Sequence, residues 1–240
     1  VYRCYHRRVD LRVASVPALE AIPGLVHGFE RGAPATGRDE SRARLARALA
    51  GRGRLHLLAQ VHGDRVVEAP WDGCPEGDAS VADAPGLLLG IETADCLPVL
   101  LVDPRRRAVA AAHAGWRGTA AGIAARAVRA LVARGSRPAD LLAALGPAIG
   151  ACCYEVGEEL REVFPAHLFR PGPRGRPHLD VRAANVDQLL EAGLSPAQVH
   201  HVEECTSCRA DLYPSWRRDG RAAGRMISFV GFARAGEAGG

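Results

Sequence analysis

The chain contains no lysine: all 31 of its basic residues are arginine. A Schiff-base lysine, a phosphate-loop lysine and a lysine general base are therefore excluded. Aromatic residues make up only 5% and there is one methionine, so the core must be built from Ala, Val and Leu. No stretch approaches the roughly 18 to 20 uninterrupted apolar residues of a membrane span. The most apolar segment, residues 86–102, is interrupted by Glu92, Asp95 and Pro98. The beginning, VYRCYHRRVD, leads into no apolar signal core. Neither G-x-G-x-x-G nor a phosphate-loop signature is present, which argues against ordinary dinucleotide or ATP binding.

What is present is a globular composition: 240 residues, 48% hydrophobic and 24% charged, with a net charge of +4. The arginines are scattered apart from Arg105-Arg106-Arg107, which reads as a turn. A nucleic-acid interface would need them gathered on one face. Seven cysteines is an odd number and Cys152-Cys153 are adjacent, so a paired disulfide framework is not expected. A reducing cytoplasm is the expected compartment, with thiols available for metal or catalysis.

The pattern predicts one mixed α/β domain over residues 1–240, with no repeat or linker. Short apolar runs at Leu25–Phe29, Leu55–Val61, Arg65–Glu68, Leu87–Thr93, Leu97–Asp103 and Ala108–Ala112 read as strands. Those from residue 55 onward are expected in one largely buried sheet. Leu141–Leu145, Val199–Glu204 and Met226–Phe232 read as later strands. Helices are expected at Arg38–Ala50, with arginine on its exposed side, and at Thr119–Arg134. The second of these has Ile123, Val128, Leu131 and Val132 near one face and Gly135 as its cap. A further amphipathic helix is expected through Val156, Leu160, Val163 and Phe164, and another at Asp180–Ala192 capped by Gly193. Residues 171–177 read as a loop.

Reactive side chains gather where strands end beside glycine turns: QVHGD (60–64), ETADCLP (92–98) and AHAGWRGT (112–119). Such exits are where α/β sheets hold ligands. His62, Cys96 and His113 form a three-ligand set suited to Zn²⁺ with a fourth position open. Their separations match no short zinc motif, so from spacing alone a turn histidine, a buried thiol and a backbone-bonded histidine are the favoured reading. A metal-free alternative makes Cys96 a nucleophile and His113 its base, oriented by Asp95 or Glu92. AHAGWRGT presents backbone N–H groups at a helix start, and Arg117 adds a planar fork suited to phosphate. A structural ion pair for Arg117 fits as well. In HHVEECTSC, the alternation puts His201, Glu203 and Cys205 on one face, and Cys205-x-x-Cys208 lacks a second pair in sequence. These two cysteines read as ordinary core residues, and Cys152 and Cys153 as packing residues at a helix entrance.

The segments LAQVHGDRVV, GIETADCLPVLLVD, VAAAHAGWRGTAAGI, ALGPAIGACCYEVGEEL and CTSCRADLYPSWRRDGRAAGRMISFVG, in this order over residues 55–231, resemble the YfiH/YlmD-type family. Its members have been called laccase-domain or multicopper polyphenol oxidoreductases and later purine nucleoside phosphorylases. The resemblance implies a mixed-sheet α/β sandwich, also seen in a toxin deamidase that uses a Cys-His pair. It implies Zn²⁺, with copper as the alternative ion, on His62, Cys96 and His113. It further implies phosphorolysis of adenosine, inosine, guanosine and methylthioadenosine, together with adenosine deamination.

The family phrase G-F-S-T-R-x-G-G-V-S and its later Ser-Leu-Asn-Leu are reduced here to HGFERGAPATGRDE, in which Arg31 takes the arginine position. In the resulting expectation Arg31 and Arg117 hold phosphate, Gln60 helps position substrate, and Asp95 supports the metal or moves a proton. Purine nucleosides and phosphate are the expected partners, with no nucleic acid and no membrane. A Cys96–His113 hydrolase or amidase, a copper phenol oxidase and a non-catalytic metal-binding module stand as alternatives.

Overall fold

The computed structural model describes residues 11–32 and 38–234, with the backbone of a short strand β1 (Arg3–Cys4). Residues 33–37 of the atypical HGFERGAPATGRDE segment lie outside the described residues. Strands β2 (Arg12–Ala14), β3 (Leu25–Glu30), β4 (Arg54–His56) and β5 (Val66–Glu68) come first. They are followed by β6 (Ala79–Ala82), β7 (Leu87–Thr93), β8 (Leu97–Asp103) and β9 (Ala108–Ala114). The last are β10 (Leu142–Leu145), β11 (Phe169–Pro171), β12 (Pro177–Leu179), β13 (Val199–His201) and β14 (Met226–Phe232). Helices are α1 (Pro17–Glu20), α2 (Arg38–Leu49), α3 (Trp116–Ala120), α4 (Ile123–Ala133), α5 (Val181–Glu191) and α6 (Trp216–Asp219).

The strands do not form the single sheet expected. They divide between a six-stranded sheet ordered β1-β2-β3-β14-β7-β4 and a second ordered β13-β10-β8-β9-β6-β5, with β11-β12 as a separate hairpin. The cause is visible in the side-chain period. Along β14, Ile227 and Phe229 pack outward with Leu45 and Leu49 of α2, while Val230 and Phe232 face the other sheet. Along β8, Leu97, Val99 and Leu101 pack against α4 and α5, while Leu100 and Val102 face inward. Each strand is thus apolar on both faces, and the result is a four-layer α/β/β/α sandwich. Alanines 108, 110, 112 and 114 of β9 let α4 approach closely.

Four further expectations are corrected. The helix from Thr119 begins earlier and is broken at Gly122, whose φ of +77° ends α3 and starts α4. Val132 is exposed rather than on the buried face. The segment around Leu160 forms only a 3₁₀ turn, Glu158–Glu162, since Gly157 and Pro165 confine it and only Leu160 and Phe164 are buried there. Finally, α2 pairs Arg42, and an Arg38 that stays exposed, with Glu92 of β7, while Arg47 remains on the solvent side as expected. Among the described residues, no helix is long and apolar enough to cross a membrane.

Candidate metal centre

The site lies at one end of the layer between the sheets, where the chain crosses from one to the other. Strand β7 belongs to the first sheet and β8 to the second. The linking Ala94-Asp95-Cys96 turns sharply, with Asp95 at a φ of +87°. Non-glycine residues adopt that region at a cost, and such strain gathers at functional sites. His62, at a φ of +62°, is a second such residue.

Sheet register does the rest. Ala79 of β6 pairs with Ala112 of β9, which brings Asp78 opposite His113, and the His113 N–H donates to the Asp78 carbonyl at 2.7 Å. Pro98 of β8 pairs with His113, which brings Cys96 to the same edge. The loop carrying His62 is then fastened by one carboxylate. Asp78 accepts the backbone N–H groups of Val61, His62 and Gly63 at 3.1, 2.9 and 2.7 Å, and pairs with His113 Nδ1 at 2.8 Å. Gln60 adds a two-way bond to the Glu92 backbone, 2.8 Å in each direction.

One ligand atom from each of His62, Cys96 and His113 lies within 4.8 Å of the other two. The two imidazole rings stand edge to face with centroids 4.8 Å apart. With Nδ1 of His113 engaged by Asp78, its other nitrogen is left for a metal, the carboxylate–histidine arrangement that fixes a ligand's tautomer. Gly115 makes room for the group: a Cβ there would stand 3.0 Å from Cys96 Sγ and 3.2 Å from His62 Cδ2. Two imidazoles and a thiolate suit Zn²⁺ and leave one position open.

The electrostatics favour a thiolate. Burial would raise the Cys96 pKa, but hydrogen bonds and charge from His113 and His62 bring it down to about 6. Burial would lower the His113 pKa, but Asp78 and Cys96 push it up to about 9. Asp78 itself is held below its ordinary range, against its burial, by His113 and by the N–H groups of Gly63 and Val61.

The centre opens on a cavity of about 520 Å³ whose walls include Trp116, Tyr154, Trp216, Arg117, Arg217 and Arg225. Arg117 lies over the Trp116 ring at 4.5 Å, Arg217 over Tyr154 at 5.3 Å and Arg225 over Trp216 at 5.7 Å. Among the described residues none of these three guanidinium groups has a carboxylate partner, whereas Arg38 on the same wall is paired with Glu92. Tyr154 stays a proton donor, since burial and the nearby Cys96 and Asp95 push its pKa up to about 12.

His62, Cys96, His113, Asp95, Gln60 and Arg117 all line this cavity. Arg31 does not. Its guanidinium donates to Tyr213 at 2.8 Å and to Glu204 at 2.6 Å, beside a separate shallow pocket. Asp95 accepts from the Thr206 hydroxyl at 2.6 Å and the Arg217 backbone N–H at 2.7 Å, and so holds loops together. Sequence reasoning passed over Asp78, whose signal is a lone acid directly before the fully buried strand β6. It also passed over Trp116 and Trp216. In a chain with three tryptophans, two at one cavity are a signal of scarcity.

These features define an α/β sandwich with a candidate metal centre at the crossing between its sheets. Residues 25–233 match the family described as multi-copper polyphenol oxidoreductase laccase, and the chain belongs to that family, in its YfiH/YlmD branch. It is 45% identical over 202 residues to a purine nucleoside phosphorylase of Deinococcus radiodurans, covering 81% of this chain and 77% of that one. It is 40% identical to one from Streptomyces coelicolor, covering 91% and 90%. A protein named adenosine deaminase RL5, from an unknown prokaryotic organism, is 38% identical over 64% of this chain and 61% of its own length. The crystal structure of YlmD from Geobacillus stearothermophilus superposes with a TM-score of 0.82 at 32% identity, covering 96% of this chain and 99% of that one.

Proposed function

We propose that the chain is a zinc-dependent purine nucleoside phosphorylase. It would cleave adenosine, inosine, guanosine and methylthioadenosine with phosphate to the free base and ribose 1-phosphate, and would also deaminate adenosine. The relatives' names support the reaction class. The observation that carries the reading is a three-ligand centre facing a cavity with aromatic walls and three guanidinium groups that have no carboxylate partner among the described residues.

His62, Cys96 and His113 would hold Zn²⁺, which when bound supplies Lewis acidity that orients and polarises substrate. Trp116, Trp216 and Tyr154 offer π-faces for a purine ring. Arg117, with Arg217 and Arg225, would hold phosphate by charge-assisted forks, so that its oxygen attacks the ribose carbon as the bond to the base breaks. Arg31 is left out of this set because Glu204 and Tyr213 already engage it. Asp78 positions His113, and Gln60 and Asp95 position the loops.

The experiment is base release from inosine and adenosine with and without phosphate. Phosphorolysis requires phosphate and yields ribose 1-phosphate; equal release in phosphate-free buffer overturns it in favour of hydrolysis.

One observation favours a second reading. Asp78, His113 and Cys96 form a carboxylate–imidazole–thiol line with the pKa values of a thiolate–imidazolium pair, the arrangement of a cysteine hydrolase.

A further inference from the structure

The second metal-competent group among the described residues contains cysteines alone. Cys152, Cys153, Cys205 and Cys208 bring their four sulfurs within 4.8 Å of one another. The Sγ atoms of Cys153 and Cys208 are 3.4 Å apart, and those of Cys152 and Cys208 are 3.7 Å apart. A disulfide needs about 2.05 Å, and all four are free thiols. Four thiolates around one tetrahedral Zn²⁺ at about 2.3 Å would stand roughly 3.8 Å apart. The observed separations fall around that value, and every pair is close enough for one ion instead of a multi-iron cluster.

This geometry corrects both earlier expectations for these residues. Cys152 and Cys208 are exposed and Cys153 and Cys205 half-buried, so none is a core residue. The C-x-x-C has its missing second pair in Cys152-Cys153, which the fold brings from some fifty residues away.

We infer that these four cysteines form a second, closed site for a single Zn²⁺ that ties the loop after β10 to the loop after β13. Three surrounding features fit. Cys205 Sγ accepts the backbone N–H of Gly150 at 3.2 Å and that of Cys208, which stabilises thiolate charge. Gly150 is needed for the approach, since a Cβ there would meet Cys152 Sγ at 3.2 Å and Cys205 Cβ at 3.4 Å. Arg182 and Arg218 act electrostatically on Cys205 and balance the surplus negative charge of four thiolates on a divalent ion.

The tie matters because the same loops build the cavity wall. Ala148 bridges to Cys205, and the Thr206 N–H donates to the Ala148 carbonyl at 3.0 Å. Ile149 and Tyr154 from one loop, and Trp216 and Arg217 beyond the other, line the cavity. With four protein ligands the ion has no open position, so its role is structural.

The test uses the full chain, reduced, loaded anaerobically with Zn²⁺ and desalted. The expected content is about two zinc ions per chain, falling to about one in the double variant His62→Ala/His113→Ala and to about one in Cys205→Ser/Cys208→Ser. The two variants separate this site from the centre of the proposed function, so either can fail alone. Should the cysteine variant not fold, the wild-type protein still decides. In zinc-loaded protein Cys152, Cys153, Cys205 and Cys208 should resist iodoacetamide while exposed Cys74 reacts, and all four should become modifiable after chelation. Modification of the four at the rate of Cys74 in zinc-loaded protein, or a disulfide among them under reducing conditions, overturns the inference.

Discussion

The two sulfur-bearing clusters of this protein differ in what surrounds them. Cys96, in the link between β7 and β8, lies beside His113 near the end of buried β9 and His62 on the loop after β4, and it faces a cavity. The four cysteines 152, 153, 205 and 208 sit on loops, two of them exposed, with only one another for neighbours in the ligand set. Three mixed ligands with an open side suit chemistry, whereas four thiolates closed around a point suit a staple. The mixed-ligand set is also supported by a carboxylate: Asp78 clamps the His62 loop and the His113 ring together. The cysteine set is supported by backbone N–H groups and by the charge of Arg182 and Arg218. Strand pairing and the Asp78 clamp therefore fix the mixed-ligand set, and the bridged loops after β10 and β13 carry the tie.

The contrast can be broken most severely at the mixed-ligand centre. Loss of His62 or His113 to Ala should remove one metal ion and lower kcat/KM for inosine on the order of 10³-fold, measured by base release beside metal analysis. Retention of full metal content in both variants would move the centre elsewhere. Asp78→Asn keeps the shape but removes the charge that holds His113, and should cost about 10- to 100-fold in activity or zinc affinity. The same variant should raise the pKa of Cys96, read from the pH dependence of alkylation in stripped protein.

A smaller effect is expected at the cavity wall. Arg117→Lys keeps the charge but loses the planar fork, so KM for phosphate should rise about tenfold with a lesser change in KM for nucleoside. The smallest kinetic effect belongs to the exposed cluster. Cys205→Ser should change kcat only a few-fold, while the unfolding midpoint falls by several degrees as a structural ion is lost. Equal losses of kcat in Cys205→Ser and His113→Ala would erase the distinction between the two sites.

Much of the mixed-ligand centre was legible in the sequence, because its ligands lie where apolar runs give way to turns. Cys96 stands in the link between β7 and β8 and His113 near the end of β9, whereas the strand expected over Leu55–Val61 stops at His56 and leaves His62 on a loop. What could not be read was partnership between sheets. The continuous apolar runs announced burial on both faces, yet nothing local told that β7 and β8 diverge into different sheets at Asp95. Asp78 was missed because its importance comes from the β6–β9 register, a long-range property. Arg31 was placed by resemblance alone, and its partners Tyr213 and Glu204 lie more than 170 residues further along the chain. The cysteine cluster was invisible for a similar reason, being two halves united by the long-range pairing of β10 with β13 and of Ala148 with Cys205.

The most direct measurement compares activity and Cys96 reactivity in the same preparation, with and without zinc at the centre of His62, Cys96 and His113. Zinc-dependent phosphorolysis predicts that loaded protein resists iodoacetamide at Cys96, that stripping abolishes base release, and that added Zn²⁺ restores it. In stripped protein, alkylation of Cys96 should rise with pH through a midpoint of about 6, since the thiolate persists above that value and is protonated below it. Full activity in demonstrably metal-free protein, abolished by alkylation of Cys96, would contradict this and make the chain a cysteine hydrolase.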